Sequence, residues 1–598
     1  MESKSMPSKA NYENQERLKQ QIRVAQGLEE ADLVIKEVKF LDVFSGGFQS
    51  GDIAINGKHI IGTCESYQGK NELDGKGLYL VPGFIDSHVH IESSLMTPDR
   101  FEQTVLPFGT TSAIWDPHEI ANVKGSEGII WAIKTTEELI MDVFIMVPSC
   151  VPASSKSLRL ETGGAELFAE HLRPFINHPR VLGLAEMMNF PGLLSQDQDV
   201  IQKLWDFKEL KRDGHCPQLS GKALNAYGVA GISTCHESIS IEEAKEKLTK
   251  GIQVLIREGS CAKNANTLLP LINSYTSSVL AMCSDDRNPA DIAKEGHINF
   301  IINEGLRLGI DAENIFRVSS FAPAQLYGLS DRGCIAPGYL ADFCLIEQNV
   351  EGEWREGFQI KKVFKSGSQY RTEDKRSPTP LLSEHFGGKN MNLSPVSQED
   401  FHLAAQDKSQ EKIEIRVIEV EPNQIVTKQL RAFIDNTNQS LQADVNQDVL
   451  KIAVLERHQN TGHKGIGFVK GFGLKEGAIA TSINHDSHNL IVVGANDQAM
   501  FEAVNKLLSI DGGIVVWKST EQCESLPLPI GGLMTNSPPS EVAESLFKLK
   551  KLAKAMGCCL HEPFLQLSFL ALPVIPSLKI TDQGLVDVNA NKIVPTIV

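Results

Sequence analysis

Residues 78–90 read LYLVPGFIDSHVH. The stretch opens on an apolar run, is punctuated by Pro82-Gly83 and closes on two histidines. Short apolar runs of this kind favour a strand. On a strand, residues i and i+2 point to the same side, so His88 and His90 present their imidazoles together. Two imidazoles at one strand end can share one metal ion. A lone His-x-His is weak evidence, and further ligand-type residues downstream would give it weight.

The same pattern recurs seven times downstream. The runs are TTSAIWDPHE (110–119), DVFIMVPSC (142–150), RVLGLAEMM (180–188), a weak one before DGHCP (213–217), GISTCHES (231–238), QVLIREGS (253–260) and SVLAMCSDDR (278–287). Each starts apolar and ends in polar, reactive groups. Helix-like stretches separate them, such as IEEAKEKLTK (241–250) and PADIAKEGHINFIINEG (289–305). Alternating βα units predict a parallel sheet. Eight of them over roughly 250 residues match a (β/α)8 TIM barrel. In that fold the C-terminal strand ends and the loops after them form one mouth. His88, His90, Glu186, His215, His236 and Asp285 then become candidate ligands at a common site. Four imidazoles and two carboxylates can hold two divalent ions, with one carboxylate and a solvent oxygen bridging. Imidazole suits zinc, iron, nickel and copper, and added carboxylate shifts the balance towards manganese or iron. Cys216 and Cys235, beside two of the histidines, read as small buried hydrophobes.

The rest of the chain divides around this barrel, expected over 81–330. Residues 1–30 are polar, and 11–31 suit an exposed helix. Residues 31–80 contain short apolar alternations broken by Gly pairs and Asn56-Gly57, which predicts strands and hairpins. GCIAPGYLADFCLIEQ (333–348) and QIKKVFKSGSQY (359–370) return to strands. Together, 31–80 and 331–372 are expected to form a small flanking β-sandwich. Residues 373–410 are charged and Pro/Ser-rich, the signature of a linker. Residues 411–598 read as a further α+β domain. FLQLSFLALPVIP (564–576) is too short, and too interrupted by Gln and Pro, to cross a membrane, and reads as core.

Bulk properties narrow the function classes. The chain of 598 residues is 41% hydrophobic and 22% charged, with a formal net charge of -17. Such an acidic chain is not suited to coat nucleic acid or an anionic membrane. The N-terminus lacks a signal-peptide core. Eleven cysteines without a CxxC pair fit reduced thiols and a cytoplasmic setting. There is no phosphate loop, no nucleophile elbow and no H-x-E…P-C-x-x-C deaminase pair.

PGFIDSHVHIESS (82–94), DPHEIANV (116–123), GLAEMM (183–188), DGHCPQLSGKALNAY (213–227), TCHES (234–238), IREGS (256–260) and CSDDRNP (283–289) resemble the amidohydrolase superfamily, and closely its bacterial adenine deaminase branch. GxIAPGxLADF is similar to the β-domain return of that superfamily, and the last region resembles the C-terminal domain of those deaminases. The resemblance implies hydrolysis of adenine to hypoxanthine and ammonia at a binuclear Mn2+ or Fe2+ centre, with Zn2+ as a further option. It implies His88, His90 and Asp285 on one ion, His215 and His236 on the other, and Glu186 between them. Many relatives bridge with a carboxylated lysine; RVLGLAEMMNF (180–190) offers none, which argues against the cyclic-amide hydrolases. The implied partner is a small molecule, and a homo-oligomer, dimer or higher, is expected.

Hydrolytic deamination needs a strong oxygen nucleophile at neutral pH, which a divalent ion supplies by lowering the pKa of bound water to roughly 7. It also needs proton transfer to the ring or the leaving amine. Asp285 is the first choice for the shuttle. Glu119, His118, Glu258 and Asp286 are candidates for a second acid. Alternation along a strand would point Asp286 away from Asp285, towards Arg287 or another ion. Arg257 and Ser260 either contact the base or, for Arg257, pair with a neighbouring carboxylate. Asn122 and Ser94 are weaker candidates for the substrate. In NHDSHN (484–489), His485, Asp486 and His488 form a polar loop between apolar strands, a candidate lid over the mouth. Two alternatives stay open: an amidohydrolase acting on another purine, a cyclic amide or an N-acetyl sugar, and a barrel that serves only as a scaffold.

Overall fold

The structure is a computed structural model that describes residues 9–154, 158–371, 389–405, 410–436 and 440–598. Its centre is built from eight parallel strands, one from each run. These are β1 (Phe84–Val89), β2 (Thr110–Trp115), β3 (Asp142–Val147), β4 (Val181–Met187), β5 (Lys211–Gly214), β6 (Thr234–Cys235), β7 (Gln253–Arg257) and β8 (Leu280–Cys283). β1 to β5 pair in sequence order in one sheet, and β6 to β8 in a second. Every residue of β1, β2 and β8 is buried. Burial on both faces explains why β8, LAMC, is continuously apolar rather than alternating.

The two sheets meet at both seams. A parallel bridge joins Val89 to Asp285, with Asp285 N donating to His88 O at 3.0 Å and His90 N to Asp285 O at 3.3 Å. On the other side, Ser233 N donates to Arg212 O at 3.0 Å, next to β5 and β6. The helices between strands carry local start signals. Asp197 accepts from Asp199 N and Val200 N to open Gln198–Asp206, and Ser240 accepts from Glu243 N to open Ile241–Thr249. The helical stretch expected over 289–305 is two helices, Pro289–Glu295 and Ile298–Arg307. Gly296 breaks it, at φ 101°.

Strands from the flanking segments 31–80 and 331–372 pair with one another. Their eight strands form one ladder-connected sheet, however, rather than two stacked sheets. Register shifts interrupt several of its ladders, and Ile35, Val38, Ile53, Ile60, Leu80, Phe343 and Phe364 pack into one apolar cluster. Bulges bend and twist a sheet locally. The N-terminal helix is Lys9–Ala25, and Val24 is buried against Ala31, Val34, Ala54 and Ile61.

Part of the linker expected over 373–410 lies outside the described residues. The described part, 389–405, is docked: Asn390 Nδ2 donates to Pro529 O at 2.9 Å, and Phe401 is fully buried. The C-terminal region contains an eight-stranded sheet whose inner strands, Val449–Leu455 and Leu490–Gly494, are wholly buried. It contacts segments that follow the first and third central strands. Thr535 N donates to Leu95 O at 2.9 Å, and Thr162 Oγ1 donates to Asp582 Oδ2 at 2.7 Å. The stretch 564–576 is core, as expected, though Phe569 and Leu572 also line a cavity at the ends of the central strands. Among the described residues no helix is long and apolar enough to cross a membrane.

Candidate metal centre

The C-terminal ends of β1, β2 and β4 to β8 converge on one cavity lined by buried side chains. His88 and His90 sit as strand alternation requires, with Nε2 atoms 3.1 Å apart. Two nitrogens that close, aimed at the same place, suit a shared cation. Asp285 Oδ1 lies 3.5 Å from His88 Nε2 and 3.2 Å from His90 Nε2. His90 Nδ1 is 3.0 Å from the Asp116 carbonyl, which fixes that nitrogen as the N–H and leaves Nε2 free to ligate.

Glu186 ends β4 between two pairs of imidazoles. Its Oε1 is 3.3 Å from His90 Nε2 and 3.8 Å from His88 Nε2. Its Oε2 is 2.6 Å from His215 Nδ1 and 3.2 Å from His236 Nε2. Burial opposes its charge, but the neighbouring imidazoles hold the carboxyl well below the usual range. Asp285 is likewise held ionised against burial, by His88 and His90. All six expected ligands are buried, and His215 Nε2 has no hydrogen-bond partner. Four imidazoles and two ionised carboxylates, with an orphaned ring nitrogen, fit divalent cations with nitrogen and oxygen ligands. The six residues recur in overlapping three-residue groups: His88, His90 and Asp285; His88, Glu186 and His236; and His215 and His236 with Glu237.

Other expected residues divide into two groups. His118 lines the cavity, its Nδ1 3.0 Å from Asp116 Oδ2 and 3.4 Å from Glu186 Oε1. Glu119 also lines it and accepts from Ser93 Oγ at 3.2 Å. Burial pushes its carboxyl up to about 7, against the pull of His485. Glu258, Ser260, Asn122 and Ser94 do not reach the cavity. Glu258 accepts from Ala265 N at 3.1 Å, and Ser260 Oγ from Asn288 N at 3.0 Å. Asn122 Nδ2 bonds back to His118 O at 2.9 Å, and Ser94 Oγ to Ile91 O at 2.6 Å. All four stabilise loops or a helix turn.

Two side chains depart from strand alternation. Asp286 faces the mouth beside Asp285, where Ser93 Oγ donates to it at 2.5 Å. β8 ends at Cys283 and Asp285 has φ 53°, so the period of two no longer applies. Arg287 turns away, to Glu258 O and Glu295. Glu237, not assigned from sequence, enters the site for the same reason, since β6 stops at Cys235. Arg257 pairs with Glu237, at 3.1 Å through Nη2, and with Asp285 Oδ2 at 3.0 Å. Arg257 thus pairs with two carboxylates while also lining the cavity.

The loop 484–489 reaches the same cavity from the C-terminal region. His485 Nδ1 is 3.3 Å from Glu119 Oε1, and Asp486 Oδ2 is 3.8 Å from His118 Nε2. His488 stands behind them, its Nδ1 accepting from Asn484 N at 3.3 Å. Ile425, Phe569 and Leu572 complete the wall. None of these three carried a sequence signal, because an apolar side chain beside a site looks like any core residue.

Two family models match the chain: the amidohydrolase family over residues 79–369 and the adenine deaminase C-terminal domain over residues 424–592. The adenine deaminase of Methylobacterium nodulans is 44% identical over 573 residues, covering 95% of this chain and 98% of that protein. That of Sinorhizobium fredii is 44% identical over 563 residues, covering 94% and 97%. A solved structure of an adenine deaminase superposes with TM-score 0.41 at 18% identity, over 57% of this chain and 100% of that one.

Proposed function

The chain belongs to the adenine deaminase family of the amidohydrolases, and from that premise we propose that it hydrolyses adenine to hypoxanthine and ammonia at a binuclear metal centre. The observation that carries the centre is the placement of Glu186, with one oxygen towards His88 and His90 and the other towards His215 and His236. We assign His88, His90 and Asp285 to one ion, His215 and His236 to the other, and Glu186 to both. The mixed imidazole and carboxylate set favours Mn2+ or Fe2+ over Zn2+. Divalent ions held there would supply hydroxide-strength nucleophilicity at neutral pH. The eight parallel strands are read as one (β/α)8 barrel of the amidohydrolase type, whose two arcs meet at the Val89–Asp285 and Arg212–Ser233 seams.

The protein's own groups then move protons. Asp285 touches the ligand cluster and is held ionised, so it can take the proton of the attacking oxygen. Glu119, with its carboxyl near 7, is suited to carry a proton to the ring or the departing amine. Arg257 positions Asp285 and Glu237. Asp116 orients both His90 and His118.

The test is a spectrophotometric assay with adenine, before and after chelation and manganese reloading. Chelated protein should be inactive and manganese should restore hypoxanthine formation. Protein shown to carry two metals per chain, yet turning over no adenine, would sink the assignment.

A further inference from the structure

Among the described residues, four buried polar atoms on cavity-lining side chains lack a hydrogen-bond partner: Glu119 Oε2, His215 Nε2, His485 Nε2 and Asp486 Oδ2. Buried polar atoms are rarely left unpaired, so each calls for an explanation. Metal ligation and proton transfer account for the first two. The other two come from adjacent residues of the C-terminal domain and are not among the six assigned ligands; His485 stands beside Glu119 and Asp286, and Asp486 Oδ2 lies 3.8 Å from His118 Nε2.

Their chemistry is complementary. Phe569 lies flat on the His485 ring, with centroids 4.4 Å apart and planes 12° apart, which fixes the orientation of that imidazole. Burial works against charge on His485, but the Glu119 carboxylate outweighs it and holds the ring protonated up to about 9. Both ring nitrogens then donate. The Asp486 carboxyl, despite burial, is held low by His118 and His485 and so accepts. The cavity therefore offers one donor, His485 Nε2, and one acceptor, Asp486 Oδ2, from neighbouring positions. A free purine carries the matching pair on the edge opposite C6: N3 accepts and the adjacent N9–H donates. Since C6 must face the metal ligands, that opposite edge faces away from them.

We propose that the C-terminal domain reads the N3/N9–H edge of the purine through His485 and Asp486, so that the site selects a free base over an N9-substituted one. This rests on the proposed deaminase function and makes the domain part of the substrate site rather than only its cover. A site built to hydrogen-bond an N–H rejects an analogue lacking it, because its own buried groups are then left unpaired.

The test is equilibrium binding of purine and of 9-methylpurine to the manganese-loaded full-length protein, by calorimetry. Purine keeps the edge but lacks the reacting amine. Asp486→Asn and His485→Gln should each weaken purine binding on the order of tenfold to a hundredfold. Binding of 9-methylpurine should be equally weak in wild type and variants, and metal content should not change. Two variants are used so that a folding failure in one leaves the other to decide. Purine affinity equal to wild type in a folded, metal-replete variant overturns the proposal. Absence of adenine turnover by the wild type would overturn the deaminase reading instead, and the binding comparison would still stand on its own.

Discussion

At the scale of single residues, the site depends on where each strand stops. His88 and His90 could be placed from sequence because both lie at the end of β1, where alternation still holds. Asp286 and Glu237 could not, because β8 and β6 end before them and the left-handed backbone at Asp285 turns the chain. Glu258, Ser260 and Asn122, also singled out from sequence, stand outside the cavity lining, and each makes a local hydrogen bond. Glu119 gives the sharpest test at this scale. Glu119→Gln should keep both metals and a near-normal KM while kcat falls by roughly 10²- to 10⁴-fold. To deliver a proton the carboxyl must be protonated, and burial raises it to about 7. Wild-type kcat/KM should therefore drop as pH rises through about 7, and this basic limb should vanish in the variant. A variant profile that retains the limb would assign it to another group.

At the scale of elements, the order of βα units was legible because most strands carry an apolar stretch and helix-like stretches separate them; β5, with the sequence KRDG, is the exception. Boundaries and sheet closure were less so. The break at Gly296 lies inside an otherwise helical pattern, and the flanking sheet carries register shifts that no period of two announces. The seam between β5 and β6 depends on a residue without a side chain. A Cβ at Gly214 would lie 2.5 Å from Thr234 O and 2.7 Å from Ile232 Cγ2. Overpacking of this kind typically costs about 1–3 kcal/mol. Gly214→Ala should therefore lower Tm. It should also displace His215, the next residue, so metal content measured by elemental analysis should fall from two ions per chain towards one. Full occupancy in the variant would show that the seam does not control that ligand.

At the scale of the whole molecule, the C-terminal domain supplies a wall of the cavity, and a buried cation supports that wall. Lys579 Nζ donates to Ile425 O at 2.7 Å and Phe569 O at 2.9 Å, and both residues face the site. Burial pulls its ammonium from the ordinary 10.5 down to about 7. Between those values the unfolded chain binds a proton that the folded protein does not. Stability should thus decline as pH drops from about 10.5 to about 7, then level off. Lys579→Met removes that dependence, so its denaturation midpoint should gain on wild type as pH is lowered through this range. A constant difference would mean that the lysine stays charged when folded. By itself the sequence determined the order of the βα units, the six ligand candidates and a C-terminal region of different texture. Those features rest on periodicity and on residue type at strand ends, which are local. Only the tertiary structure decided that Glu186 lies between two imidazole pairs, that Arg257 is tied to carboxylates, and that His485, Asp486 and Phe569 close the cavity. These depend on contacts between residues far apart in the chain, and no local pattern encodes which distant surface a loop will meet.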